Sequence, residues 1–155
     1  MSGDRLRHFI IGYGNPLRGD DAVGWILANQ LLSRYADRAD IRVMALHQLS
    51  PDLAEPLAQA QHVLFIDASA ELPAGQLQWR DIQPPHLAGP INTHHLLPET
   101  LLALAQSLYG HTPQAKELSI GAQNFAHSME LSIEAQSALD SAMELIEALL
   151  LLKIE

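Results

Sequence analysis

The most informative part of this chain is the segment Ile10-Ile11-Gly12-Tyr13-Gly14-Asn15-Pro16-Leu17-Arg18-Gly19-Asp20-Asp21-Ala22-Val23-Gly24. Its apolar beginning predicts a strand, its glycines predict a turn, and the adjacent carboxylates Asp20 and Asp21 stand where a helix is expected to begin. Helix N-termini carry unpaired N–H groups and partial positive charge, so this position often binds phosphate. Because the protein places its own negative charge there, the segment favours a cation or a proton over a phosphate.

The composition indicates a single globular domain. The chain has 155 residues, of which 48% are hydrophobic and 17% are charged, as in folded domains rather than disordered segments. The net charge of −9 and the absence of any run of Lys or Arg argue against a nucleic-acid partner. There is no cysteine, which excludes disulfides, thiolate metal sites and cysteine nucleophiles.

The sequence also predicts a compartment. Residues Met1–His8 are polar and lack the apolar region of a signal peptide, and the longest apolar run, Ala148–Leu152, is too short to span a bilayer. We therefore expect a soluble, cytoplasmic protein with no membrane partner. The acidic surface and small size lead us to expect a monomer.

Alternating strands and helices predict an α/β fold. Strands are predicted at His8–Tyr13, Ile41–Leu46, His62–Ile66 and Leu118–Ile120, with an edge strand at Gln76–Arg80. Helices are predicted from Asp20 or Asp21 to about Tyr35, from Ser50 as the capping residue, from Pro98, and from about Ser132 to Leu152. We expect a three-layer sandwich, with a mostly parallel, twisted sheet of about five strands and helices on both faces. The Pro98 helix is expected to bury Leu101, Leu104, Ala105 and Leu108.

Several polar residues are predicted to meet at one edge of this sheet. Ligands of open parallel sheets bind beyond the carboxyl ends of the strands. Asp20 and Asp21 follow the first predicted strand, His47 the second and Asp67 the third. The pair His94-His95 lies just before the Pro98 helix, in a loop that could return to the same edge.

Two ligand classes fit this edge to different degrees. Dinucleotide binding fits poorly, because Leu17 stands at the third glycine position of the fingerprint and His47 stands where an acidic residue would hold a ribose. A metal fits better: Asp21, Asp67 and His94 would supply two oxygens and an imidazole nitrogen, which suits zinc or nickel and leaves a coordination position open. Neither HExxH nor GxSxG is present.

Structural roles for the same residues stay open as alternatives. Asp20 is expected to cap the first helix, Asp21 could merely complement the helix dipole, and Asp67 could cap a turn. His47 could be a core residue or a neighbour of a ligand. Four further histidines are expected to be structural or solvated: His62, His86, His111 and His127. Trp25 and Trp79 are expected to pack against neighbouring residues rather than bind substrate.

The ordered motifs resemble those of the nickel-iron hydrogenase maturation endopeptidases. The resemblance rests on Gly12–Gly24, on the strand Val63–Ala68 that ends in Asp-Ala, and on the histidine segment Asn92–Leu96. The segment His47–Leu53 is similar to one found in part of that family. The resemblance spans essentially the whole chain, so residues 1–155 are expected to form one maturation protease-like domain.

The resemblance implies a specific activity. Such enzymes remove a C-terminal extension from the hydrogenase large-subunit precursor after nickel insertion, and the nickel is carried by the substrate, with no organic cofactor. By position, the metal-contacting residues correspond to Asp21, Asp67 and His94, with His95 as the neighbouring alternative. Asp21 and Asp67 are the candidate catalytic residues. Asp21 replaces the glutamate that is frequent in the family and is one methylene shorter.

Two mechanisms and two rival functions stay open. A metal-polarised carbonyl or water could drive attack, or a carboxylate could act as general base. The rivals are a non-catalytic, nickel-sensing chaperone of the precursor and a Rossmann-like nucleotide-binding enzyme.

Overall fold

The computed structural model describes residues 6–85 and 96–152. The strands are β1 (Leu6–Tyr13), β2 (Ile41–Leu46), β3 (Ala60–Ser69), β4 (Leu77–Ile82) and β5 (Gln114–Gly121). The α-helices are α1 (Val23–Arg34), α2 (Ala54–Ala58), α3 (Pro98–Tyr109) and α4 (Ile133–Leu152). Short 3₁₀ turns at Gly19–Ala22 and Pro51–Leu53 precede α1 and α2.

The five strands form one sheet in the order β2-β1-β3-β5-β4. The pairs β1–β2, β1–β3 and β3–β5 are parallel, and the edge strand β4 runs antiparallel to β5. The predicted α/β class and mostly parallel five-stranded sheet are confirmed, including the edge strand expected near residues 76–80.

Apolar side chains on opposite faces of the sheet divide the core into two halves. Phe9, Ile11 and Phe65 face α2 and α3, and Ile10 and Leu64 face α1 and α4. Because successive strand side chains point to opposite faces, helices cover both sides of the sheet, as predicted. None of the helices in residues 6–85 and 96–152 combines the length and apolar character needed to cross a membrane.

Three local predictions are wrong. The side chain of Asp20 does not cap a helix: α1 begins after the 3₁₀ turn, and no side chain bonds its first N–H groups. Ser50 occupies the N-cap position of the second 3₁₀ turn, but its hydroxyl donates to the Asp52 carboxylate instead of the backbone. Leu108 was expected to be buried, yet 63% of its surface is exposed, because it lies in the last turn of α3.

β5 is longer than the predicted Leu118–Ile120, because its charged residues have partners on β4. Lys116 Nζ lies 2.7 Å from Asp81 Oδ1, and Glu117 pairs with Arg80 at 2.6 Å. Charged residues at strand positions lower the β-propensity of the segment, and only the cross-strand pairs explain their presence there.

Two glycines allow α1 to lie unusually close to the sheet. A Cβ on Gly24 would come within 2.3 Å of the Ile66 carbonyl oxygen and 2.7 Å of the Tyr13 carbonyl oxygen. A Cβ on Gly12 would lie 2.1 Å from the Gly24 carbonyl oxygen. Backbone atoms cannot move aside as flexible side chains can, so only glycine fits at either position. This contact holds the 3₁₀ turn carrying Asp20 and Asp21 against the ends of β1 and β3.

We predict that Gly24→Ala destabilises the protein by about 2 kcal/mol or more. Helix propensity alone would make Gly24→Ala stabilising, because Ala is favoured over Gly by about 1 kcal/mol within a helix. Urea unfolding measures the difference. Gln30→Ala, at an exposed position of the same helix, is the control and should change stability by less than about 0.5 kcal/mol. A Gly24→Ala protein as stable as wild type would contradict the proposed contact.

Candidate functional site

Asp67 lies in a row of polar side chains that crosses three strands. Asp67 on β3 is the register partner of Ser119 on β5, and Gly12 pairs with Ile66, which places Tyr13 beside Asp67 on the other side. The Tyr13 hydroxyl donates to Asp67 Oδ2 at 2.9 Å, and the Ser119 hydroxyl donates to Asp67 Oδ1 at 3.1 Å. Each oxygen of the carboxylate is therefore held by a hydroxyl from a different strand.

The surroundings of Asp67 disfavour its charge. Burial raises the pKa of Asp67 well above its usual range, the neighbouring Glu117 raises it further, and the hydrogen bonds from Tyr13 and Ser119 partly oppose the rise. Burial, together with the charge of Asp67, also raises the pKa of Tyr13, so its phenol stays protonated and acts as a donor.

Glu117 is buried one row below Asp67 and is tied to an arginine. Arg80 donates to Glu117 Oε1 through Nε at 3.1 Å and through Nη2 at 2.6 Å. Its remaining arm, Nη1, donates to Glu99 Oε2 at 2.7 Å. The hydrogen bonds to Glu99 and Glu117 raise the pKa of Arg80. This group connects β4, β5 and the first turn of α3 beside Asp67.

Asp21 lies in the turn that follows β1 and is half-buried. Its Oδ2 accepts a hydrogen bond from the Asn15 N–H at 2.8 Å, and Oδ1 accepts none from the residues that the structure describes. A Cβ on Gly14 would lie 1.9 Å from the Asp21 carbonyl oxygen, so the turn folds tightly over this residue. Asp21 and Asp67 both lie at the carboxyl edge of the sheet, as predicted.

Asp20, the adjacent carboxylate, has a different environment, in which it links two loops. It is fully buried. Its Oδ2 accepts hydrogen bonds from the N–H groups of Gln123 and Asn124 and from the Ser132 hydroxyl, and its Oδ1 accepts the Ser132 N–H at 2.7 Å. The predicted helix cap is thus a clamp on residues 123–132, because the 3₁₀ turn directs this side chain away from α1.

The remaining predicted residues are placed as follows. His47 is exposed, with its ring 6.3 Å from that of Trp25. His111 contacts the Ala60 carbonyl oxygen and His62 stacks on His8, which agrees with structural roles. His86, His94 and His95 lie outside the described residues. Among the described residues no group of three His, Asp or Glu side chains is arranged to hold a metal, so the set Asp21, Asp67 and His94 stays a prediction.

Sequence inspection missed Tyr13, Ser119, Glu117 and Arg80. Glu117 carried a usable signal, since a charged residue within a hydrophobic strand requires a partner. Tyr13 and Ser119 gave none, because their relation to Asp67 depends on strand register.

A cavity of about 690 Å³ opens at the opposite edge of the sheet, where β1, β3 and β5 begin. His62 lines it and is five residues from Asp67 along β3, a separation of about 16 Å at the usual rise of a strand. The cavity is therefore separate from the polar row.

No protein-family model matches this sequence, and no curated protein matches it either. The fold, however, is closely similar to that of several solved structures. The hydrogenase maturating endopeptidase HybD from E. coli has a TM-score of 0.76 at 20% identity, covering 94% of this chain and 92% of that one. The NiFe hydrogenase maturation protease HycI from Thermococcus kodakarensis has a TM-score of 0.70 at 22% identity, covering 95% and 93%. The hydrogenase 2 maturation peptidase from a Thaumarchaeota archaeon has a TM-score of 0.67 at 25% identity, covering 92% and 97%.

The chain has the fold of the hydrogenase maturation endopeptidases. This confirms the resemblance drawn from the sequence motifs and the predicted fold class. The similarity extends along nearly the full length of each of these three enzymes.

We predict that Asp20→Asn destabilises the protein by about 3 kcal/mol at pH 7, because an amide cannot accept the four hydrogen bonds that the buried carboxylate receives. Burial alone would raise the pKa of Asp20, but the N–H groups of Gln123, Ser132 and Asn124 lower it below its usual value. The stabilisation is therefore present above the unfolded pKa of about 3.9 and is lost as the pH falls through the folded pKa.

Urea unfolding at pH 7 and at pH 3 measures this dependence. The difference in stability between wild type and Asp20→Asn should be smaller at pH 3 than at pH 7. Asp140→Asn, at an exposed position of α4, is the matched control and should leave the stability nearly unchanged. Equal stabilities of wild type and Asp20→Asn at pH 7 would show that the clamp is not needed.

Proposed function

We propose that this chain is an endopeptidase that removes the C-terminal extension of a nickel-iron hydrogenase large-subunit precursor after nickel insertion. The observation that carries the proposal is the position of Asp67: a desolvated carboxylate at the carboxyl end of a central strand, on the same sheet edge as Asp21, within the fold of enzymes named for hydrogenase maturation. The partner is accordingly the precursor, and the compartment is the cytoplasm, where such a precursor would be matured.

The proposed recognition element is the nickel bound to the precursor. Asp21, Asp67 and His94 would complete its coordination shell with oxygen and nitrogen ligands. Because the chain has no cysteine, it lacks the soft ligands that would bind free metal tightly. Cleavage would then be coupled to metal loading, because productive binding requires a metal that the precursor already holds.

The position of α3 is compatible with this ligand set. His94 lies outside the described residues, but α3 begins four residues later at Pro98. α3 packs on the face of the sheet that carries Phe65, and Glu99 in its first turn bonds to Arg80. Four residues of extended chain span up to about 14 Å, which is the longest reach of His94 from the start of α3.

Two routes to peptide cleavage are consistent with these residues. In the first, the nickel anchors the scissile peptide and polarises its carbonyl or an attacking water. In the second, Asp21 or Asp67 acts as general base toward water.

Nucleotide binding is disfavoured by the turn after β1. A pyrophosphate on this fold would bind backbone N–H groups of that turn. The Asn15 N–H instead donates to Asp21 Oδ2, and the negative charge of this carboxylate would repel a phosphate. The chaperone alternative predicts precursor binding without cleavage.

We predict that Asp21→Ala and Asp67→Ala each abolish processing, because each removes a ligand of the substrate's nickel. The purified protein is mixed with nickel-loaded precursor, and the mass of the precursor is followed by mass spectrometry. Asp21→Glu should retain partial activity, since it keeps the carboxylate but moves it by one methylene. Asp37→Ala, at an exposed position after α1, is the control and should process normally.

Two results would count against this proposal. Wild-type protein that binds the loaded precursor without changing its mass would favour the chaperone. Normal processing by Asp21→Ala or Asp67→Ala, with circular dichroism unchanged, would show that the site has been assigned to the wrong residues.

A further inference from the structure

The polar row at Asp67 contains two residues that the proposed chemistry does not use. Tyr13 and Ser119 flank Asp67 on adjacent strands, and each donates one hydroxyl hydrogen bond to a different oxygen of its carboxylate, at 2.9 Å and 3.1 Å. Neither residue is a metal ligand of the usual kind, and both are fixed by parallel strand pairing. Their relation to Asp67 is therefore part of the sheet rather than of a loop.

The two bonds restrict Asp67 without saturating it. Each carboxylate oxygen offers about two lone-pair directions, so the two hydroxyls and the hydrogen-bonding contact with the Glu117 carboxyl still leave a direction on Asp67 for a metal. A single bond would leave the group free to rotate about its last torsion, whereas two bonds from opposite sides fix the plane of the carboxylate. Metal-ligating carboxylates are commonly held in this way by outer hydrogen bonds.

The neighbouring acid does not compete for this role. Arg80 makes two hydrogen bonds to Glu117 Oε1 and one to Glu99, and Glu117 is only 5% exposed. Glu117 is thereby held to the β4 side of the sheet. Of the two adjacent acids, Glu117 is the one paired with a cation, whereas Asp67 is bonded by two neutral hydroxyls and contacts the Glu117 carboxyl.

We propose that Tyr13 and Ser119 are positioning residues that orient the Asp67 carboxylate toward a divalent metal. They act through Asp67 and contact neither the metal nor the peptide. The role in processing rests on the proposed function above, but the effect on metal affinity does not, because it concerns Asp67 in the isolated protein.

The test measures zinc binding to the full chain by calorimetry, alongside processing of nickel-loaded precursor. Tyr13→Phe and Ser119→Ala each remove one hydroxyl and should each weaken zinc binding and slow processing by about tenfold or more. Ser119→Thr restores a hydroxyl on the same strand position and should remain within about threefold of wild type. Tyr109→Phe, in the exposed last turn of α3, is the matched control and should behave as wild type.

The rescue separates positioning from general stability. A loss caused only by a weakened fold would accompany a lower unfolding temperature and would not depend on the hydroxyl of residue 119. The inference is overturned if the wild-type chain binds no zinc, or if Tyr13→Phe and Ser119→Ala bind zinc as wild type does. It is also overturned if Ser119→Thr is as impaired as Ser119→Ala. If zinc binding responds as expected but wild-type protein cleaves no precursor, the proposed function fails while the positioning role stands.

Discussion

The desolvation of Asp67 is the constraint on which the rest of the site depends. A carboxylate at the end of a central strand, close to the buried Glu117, is unfavourable as an isolated anion. Hydroxyl groups from both neighbouring strands donate hydrogen bonds to Asp67, and an arginine pairs with Glu117. A divalent metal would supply the remaining compensation, since it favours the charged form of the ligand. Under the proposed function, that cation is the nickel carried by the precursor.

Asp20 and Asp21 show how adjacent residues of one type take opposite roles. The buried Asp20 carboxylate has four hydrogen bonds from residues 123–132 and no room for a further ligand. Asp21 has one, from Asn15, and is more accessible. The clamp made by Asp20 fixes the turn in which Asp21 lies, so the first carboxylate supports the position of the second.

Sequence patterns predicted the elements that depend on local periodicity. The apolar runs of β1, β2 and β3 and the long stretch of helical periodicity in α4 were enough to place these elements. Because parallel strands end at the same edge of a sheet, the prediction then placed Asp21 and Asp67 at one edge. β5 was predicted too short because Lys116 and Glu117 look unfavourable in a strand until their partners on β4 are known. The role of Asp20 was predicted wrongly because an aspartate before a helix has the same sequence pattern whether it caps that helix or binds a distant loop.

The polar row could not be predicted from one sequence. Tyr13, Asp67 and Ser119 are separated by more than fifty residues at each step along the chain, and only the register of three strands brings them together. A shift of one residue would turn each side chain to the other face. The hydrogen-bond partners of a charged residue on a parallel sheet are therefore harder to predict from the sequence than the charged residue itself.

The most direct test of this account is a crystal structure of the protein soaked in zinc, with the ion located by anomalous scattering. The account predicts one ion within about 2.0–2.2 Å of carboxylate oxygens from both Asp21 and Asp67, with the imidazole of His94 as a further ligand. An ion bound to only one of these carboxylates, or bound elsewhere while Asp21 and Asp67 remain apart, would contradict the shared metal site.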